Sequence, residues 1–386
     1  MRSEVVVFKK EKFLCAIDTV SVVAKKDFPD KRILSFRMSA KSNFRKGGAN
    51  LRVCPESPQR FPTFSEITFR RQHLIFNLRC AQFDVHLCPQ NFPMKKILCT
   101  FCAAFFVLTT FAADDFTRTE DVVYGHKAGM ALTLDIFQPK NPNGFGIVYM
   151  VSGGWFSAHE AISPPMYQSF LKNGYTVFAV CHGSQPKFQI PEIVKDVNRA
   201  VRFIRHNAKK YGVDPNHLGV SGGSAGGHLS LTLGTSGGPG QADAKDPIDR
   251  ESSAVQCVAC FFPPTDFLNY GKPGESALGE NILKDYKPAF GQIPTNGPEK
   301  EKFGREISPI YHVTSNTPPT LILHGDKDFL VPIQQAESFI KKAKESGVTA
   351  KLVVKEGGAH GWKDWIDDFA LFVSWFDEHL RGVKKN

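Results

Sequence analysis

Strand-like and helix-like runs alternate through residues 113–386, and this alternation restricts the fold more than any other feature of the chain. Residues 122–124 and 132–137 read as an opening antiparallel pair. Short apolar runs at 146–151, 176–180, 217–221, 255–262, 320–323 and 351–354 read as further strands. Helical patterns fall between them. Ile193, Val197, Val201, Ile204 and Ala208 recur every three or four residues behind Pro191, which suits a first helical turn. Residues 225–233 and 332–346 read as two more helices. Trp365, Phe369, Phe372, Phe376 and Leu380 make the stripe of a last one. The order predicts an α/β fold, a mostly parallel central sheet with helices on both faces. The stretches 234–253 and 266–305, rich in Gly, Pro and charge, read as loops or a modest insertion over one end of the sheet.

A formal charge of +10 would ordinarily suggest an anionic partner. Its distribution removes that reading. Residues 1–93 hold 17 Lys and Arg against 8 Asp and Glu, while 113–386 hold 29 against 30. No nucleic-acid partner is expected for a segment so balanced. Residues 94–112 open with Met94, Lys95 and Lys96, continue without charge from Ile97, and carry Thr110 and Ala112 at the small-residue positions of a cleavage site. This is the anatomy of a secretory signal peptide. The expectation is an upstream segment 1–93 outside the mature protein, a signal peptide at 94–112 and a catalytic domain at 113–386, secreted or periplasmic. The competing arrangement is a signal anchor behind a basic arm. Once the signal is cleaved, no stable membrane insertion is expected. Residues 1–93 show no sustained helical or strand period. Three cysteines follow the signal: Cys181, Cys257 and Cys260. They are too few for a disulfide scaffold. Cys257 and Cys260, three apart on a strand, should face opposite sides of the sheet.

The chemistry concentrates in Gly222-Gly223-Ser224-Ala225-Gly226-Gly227-His228, which sits between a predicted strand and a predicted helix. A sharp strand-to-helix turn exposes a serine hydroxyl, and it needs glycine two residues away on each side, where side chains would collide. A serine hydroxyl is a poor nucleophile without a base. His360, in Gly357-Gly358-Ala359-His360-Gly361-Trp362, follows a later strand and can serve. Between them lies His324-Gly325-Asp326-Lys327-Asp328, where either aspartate could orient the imidazole. Ser152-Gly153-Gly154-Trp155 follows the third strand. The N–H groups of Gly153 and Gly154, with that of Ala225, are the candidate oxyanion donors.

These motifs resemble the α/β-hydrolases, over residues 120–381. The branch is the bacterial esterase/lipase one, similar to secreted acetyl-xylan and feruloyl esterase-like carbohydrate-ester hydrolases. The resemblance rests on Gly222–His228, on His-Gly-x-x-Asp-x-x-Val-Pro at 324–332, and on the helix from Pro191 through Tyr211-Gly212-Val213-Asp214-Pro215. It implies Asp328, rather than Asp326, as the acid, beside Ser224 and His360. The family's oxyanion segment usually reads His-Gly-Gly-Gly-Trp. Here Ser152 stands at the histidine and one glycine is missing, which bears on the shape of the acyl pocket. The resemblance implies a serine hydrolase of carboxylic esters, those of carbohydrates in particular, and the modest insertion suggests a short acyl group such as acetate.

Weaker candidates for substrate contact are His182 and Gln185, after the fourth strand, and Trp155 and Trp362 as pocket walls. His228 reads as structural. No H-E-x-x-H, phosphate loop or dinucleotide fingerprint occurs, so neither metal nor organic cofactor is expected. Two other functions compete with the esterase: a serine exopeptidase of the prolyl-oligopeptidase-like type, and a non-catalytic binding protein on the same fold.

Overall fold

The computed structural model describes residues 115–383 and three strands near the start of the chain. The chain divides into two compact units, Met1–Val107 and Leu108–Asn386. In the first, β1 (Glu4–Phe8), β2 (Thr19–Lys26) and β3 (Arg32–Ser39) pair antiparallel in the order β1-β2-β3. These strands form where the sequence shows no sustained strand period. Val5-Val6-Val7 and Val20 to Val23 carry high β propensity without the clean alternation that marks a half-buried strand. The expected signal peptide at 94–112 lies outside the described residues.

The second unit is built on an eight-stranded sheet. It comprises β4 (Phe116–Lys127), β5 (Met130–Pro139), β6 (Gly146–Met150), β7 (Thr176–Val180), β8 (Leu218–Gly223), β9 (Cys257–Phe261), β10 (Thr320–Gly325) and β11 (Ala350–Lys355). Their order is β11-β10-β9-β8-β6-β7-β5-β4. The β4–β5 and β5–β7 pairs are antiparallel and the rest are parallel. Six helices are used below: α1 (Gln168–Lys172), α2 (Ile190–His206), α3 (Ala225–Ser236), α4 (Gly297–Ile307), α5 (Gln334–Glu345) and α6 (Phe369–His379).

Strand side chains alternate between two cores. Val148, Met150, Phe178 and Val180 join α2, α3 and α5 on one face. Ile147, Tyr149, Val177 and Ala179 join α1 and α6 on the other. Cys260 falls in the first core and Cys257 in the second, as their spacing required. Both are free and fully buried, and burial pushes both thiols up. The architecture is the α/β-hydrolase fold.

The stretch 266–305, expected as loops or a modest insertion, is an insertion with some helical order. It holds a 3-10 segment, Asn281–Tyr286, and then α4. Asn296 caps α4 by accepting the Glu299 N–H at 2.8 Å, and Pro298 sits in its first turn. Among the described residues, no helix is long and apolar enough to cross a membrane.

Candidate active site

Four strand ends on the parallel side of the sheet carry the predicted residues. Ser224 stands between β8 and α3, with φ 55° and ψ −120°. A non-glycine residue at positive φ is strained, and the neighbourhood must hold it there. A Cβ on Gly222 would come within 2.7 Å of the Gly226 backbone, and one on Gly226 within 2.7 Å of the Met150 carbonyl. The turn therefore excludes any side chain at these two positions. The Ser224 N–H donates to Phe261 O at 3.0 Å, which pins the turn to β9.

Asp328 follows β10 and His360 follows β11. His360 Nε2 lies 3.0 Å from Ser224 Oγ, and His360 Nδ1 lies 2.7 Å from Asp328 Oδ2. The Asp328 Oδ1 accepts the N–H groups of Leu330 and Val331 at 3.0 and 2.9 Å. His324 Nε2, wholly buried, donates to Val331 O at 2.8 Å and lies 3.3 Å from Asp328 Oδ2. Burial alone would push the Asp328 carboxyl up. The His324 and His360 contacts and the Val331 N–H outweigh it, so the carboxyl sits well below the usual range. An ionised carboxylate so placed holds a proton on Nδ1 and leaves Nε2 to accept one from the serine.

Asp326 is elsewhere. Its Oδ1 accepts the Gly357 N–H at 2.6 Å, while Lys327 N donates to Gly358 O at 2.8 Å. These bonds clasp the acid loop to the loop that carries His360. Phe262, which no motif marked, packs its ring 4.5 Å from that of His360.

On the other side of Ser224, the turn after β6 departs from expectation. Gly153 N–H donates to Phe156 O at 2.9 Å, and Phe156 N–H returns the bond to Gly153 O. Gly153 is thus removed as an oxyanion donor, because its N–H closes this small bridge. The N–H groups of Gly154 and Ala225 have no acceptor among the described residues and remain as the candidate donor pair. Gly226 N–H donates to Ser152 O at 3.2 Å, which fixes the turn against the start of α3. Gly154 has φ +54°, and a Cβ there would fall 2.4 Å from Cε1 of Tyr286. Tyr286 belongs to the insertion and had no sequence signal.

The weaker candidates take supporting places. Trp155, read as a pocket wall, is 2% exposed and packs edge-on to Phe290 and Tyr286. It is a core residue. His182 is buried too. Its Nδ1 lies 2.7 Å from Gly183 O and its Nε2 2.9 Å from Ser152 Oγ, so the hydroxyl donates to the imidazole. Burial pushes His182 down to about 4, against the pull of the Gly183 carbonyl. Gln185 Nε2 donates to Gly154 O at 3.3 Å and its N–H to Trp155 O at 3.2 Å. Both residues shape the turn. Trp362 is half-buried, and its Nε1 donates to Asp368 Oδ2 at 2.6 Å.

Glu120, Asp135 and His159 bring possible metal-ligand atoms within 4.8 Å of one another. Asp135 already accepts from Arg118 Nε at 2.8 Å and from the Asp121 N–H at 3.0 Å, and His159 Nε2 lies 3.2 Å away. Its oxygens are engaged by protein groups, which makes this an ion-pair cluster.

Three comparisons bear on the family and fold of the chain. The chain is 26% identical over 238 residues to the probable carboxylic ester hydrolase LipM of Mycobacterium tuberculosis, covering 60% of this chain and 53% of LipM. The chain thus spans about half the length of that relative. A truncated carbohydrate esterase from gut microbiota superposes with a TM-score of 0.57 at 26% identity, over 68% of this chain and 97% of that one. An acetyl ester–xyloside bifunctional hydrolase from Caldicellulosiruptor lactoaceticus shares the fold, with a TM-score of 0.57 at 23% identity over 67% of this chain and 96% of that one. The profile of the BD-FAE family matches residues 134–343, a span that takes in the oxyanion turn, the nucleophile turn and the acid loop, and the chain belongs to that family.

Proposed function

We propose that the protein is a serine hydrolase of carboxylic esters that works through an acyl-enzyme on Ser224. One observation carries the reading: the continuous hydrogen-bonded series Ser224 Oγ, His360, Asp328, with separations of 3.0 and 2.7 Å. Ser224 Oγ attacks the ester carbonyl as His360 Nε2 takes its proton. Charge collects on the carbonyl oxygen, and the N–H groups of Gly154 and Ala225, at the start of α3, stabilise it. The same imidazole protonates the departing alcohol. Water repeats the sequence against the acyl-enzyme, and Asp328 stabilises the imidazolium in both halves.

The finer reading is a short acyl group, acetate above all, on a carbohydrate alcohol. Likeness to a carbohydrate esterase over nearly the whole of that chain supports it. Export through residues 94–112 would bring such an enzyme to polysaccharide substrates.

Hydrolysis of 4-nitrophenyl esters from acetate to octanoate, by the protein and its Ser224→Ala variant, tests the reading. Turnover should favour acetate and fall by a factor on the order of 10⁴ to 10⁶ in the variant. Absence of serine-dependent turnover by folded protein would overturn it, and cleavage of peptide amides instead would identify an exopeptidase.

A further inference from the structure

His228 is wholly buried on α3, one turn beyond Ser224, and its imidazole joins two elements that are distant in the chain. Nε2 lies 2.8 Å from the carbonyl of Ile307, the last residue of α4. A carbonyl can only accept, so Nε2 carries the proton and Nδ1 is left as an acceptor. Trp155 Nε1, which can only donate, meets Nδ1 at 3.2 Å. The two bonds fix one neutral tautomer. Burial pushes this imidazole down to about 4, against the pull of the Ile307 carbonyl.

The arrangement bears on the proposed reaction because of what Trp155 follows. Its backbone has φ +59°, directly after Gly154 at φ +54°. Gly154 adopts this conformation freely, but Trp155, a bulky aromatic, needs outside support to hold it. Gln185 holds the backbone carbonyls of both residues, and the insertion holds the indole. Phe267, Tyr286 and Phe290 surround the indole at centroid distances of 5.8, 6.3 and 5.4 Å. Tyr286 also fills the space a side chain at position 154 would occupy.

We infer that His228 is a positioning residue for the oxyanion turn: through Trp155 it transmits the seating of the insertion to the direction of the Gly154 N–H. The inference rests on the ester-hydrolase reading of Ser224. It assigns the insertion a part in catalysis as the outer support of an oxyanion donor. An N–H that is misdirected by a fraction of an ångström still permits substrate binding and fails the transition state.

The test is the kcat and KM of full-length His228→Ala, Trp155→Phe and His228→Gln on 4-nitrophenyl acetate, with thermal unfolding of each. His228→Ala and Trp155→Phe should each lower kcat by about 10- to 100-fold and leave KM within about twofold. His228→Gln keeps a donor and an acceptor and should recover kcat to within about fivefold of the parent. Trp155→Phe keeps an aromatic ring in the box and removes the N–H together with part of the indole, which covers the case of an unfolded His228→Ala. A folded Trp155→Phe or His228→Ala with unchanged kcat overturns the inference while leaving the hydrolase intact. A parent enzyme without Ser224-dependent turnover removes the hydrolase reading, and this inference with it.

Discussion

The two sides of Ser224 are built by different physics. On the acid side, each functional group touches the next directly: Asp328 to His360, His360 to Ser224, and three further donors gathered around one carboxylate. On the oxyanion side, the functional groups are backbone N–H groups, and their direction is set by residues that never meet the reacting atoms. Gln185 holds the Gly154 carbonyl, His182 holds Ser152, and His228 with Tyr286 holds Trp155 and Gly154 in place. The acid side is a chain of charge-assisted bonds, while the oxyanion side is a packed shape. Each should therefore fail in its own way.

The largest expected effect short of losing the serine itself is on the acid side. Asp328→Asn should lower kcat by about 10⁴-fold through the wrong imidazole tautomer, with the fold preserved. Steady-state kinetics beside a circular dichroism spectrum would measure it, and a loss below about tenfold would reassign the acid.

Gly154→Ala probes the opposite side. The added methyl meets both a positive φ and the Tyr286 ring, so kcat should fall by about 10²-fold. Unchanged kcat in this variant would show that packing does not direct the donor.

The two sides should also respond to acid in different windows. His182 and His228 have folded values near 4, below the unfolded value of about 6.5. The unfolded chain binds the proton first as the pH falls. Their stabilisation is thus complete above about pH 6.5 and is lost progressively down to about pH 4, at up to about 1.4 kcal/mol per pH unit for each. Asp328 has the depressed carboxylate value, so its contribution persists above about pH 3.9 and is lost only below it. Urea midpoints between pH 7 and 4 should decline, and His228→Gln should flatten the decline. A level midpoint in the parent would contradict the burial of both imidazoles.

Asp326→Asn should have the smallest effect. The amide oxygen can still accept the Gly357 N–H, so kcat/KM on 4-nitrophenyl acetate should stay within about threefold of the parent. A loss approaching that of Asp328→Asn would overturn the division of labour between the two aspartates.

The uneven legibility of the site follows from the same contrast. Strand-to-helix alternation and apolar stripes placed all eight strands of the main sheet, because each sequence period maps onto one buried face. The nucleophile turn could be read because Gly222 answers a local steric demand within it. Helix α4 was missed because its interior, with Lys, Glu and Gly, lacks a long apolar stripe, and its cap lies in polar residues. Tyr286 and Phe262 were missed because nothing in their flanking residues distinguishes them from other aromatics. Gly153 was misjudged because its neighbours in sequence do not show that Phe156 turns back to take its N–H.

By itself, the sequence determined the α/β class, the strand-end positions of Ser224, Asp328 and His360, and the glycine requirement at 222 and 226. The class and the strand ends depend on local periodicity, and the need at Gly222 on steric conflict within the turn; at Gly226 the Met150 carbonyl of β6 enforces what the local pattern announced. Tertiary structure decided which glycine N–H remains for an oxyanion, which aspartate meets the imidazole rather than the neighbouring loop, and that Trp155 lies in the core rather than at the pocket. The last two depend on contacts distant in the chain, such as Asp326 with Gly357 and Trp155 with Phe290, while the first turns on Phe156 folding back onto Gly153. A local pattern can require that a turn form, but the direction of a donor or a ring within that turn is set by whatever packs against it from elsewhere in the fold.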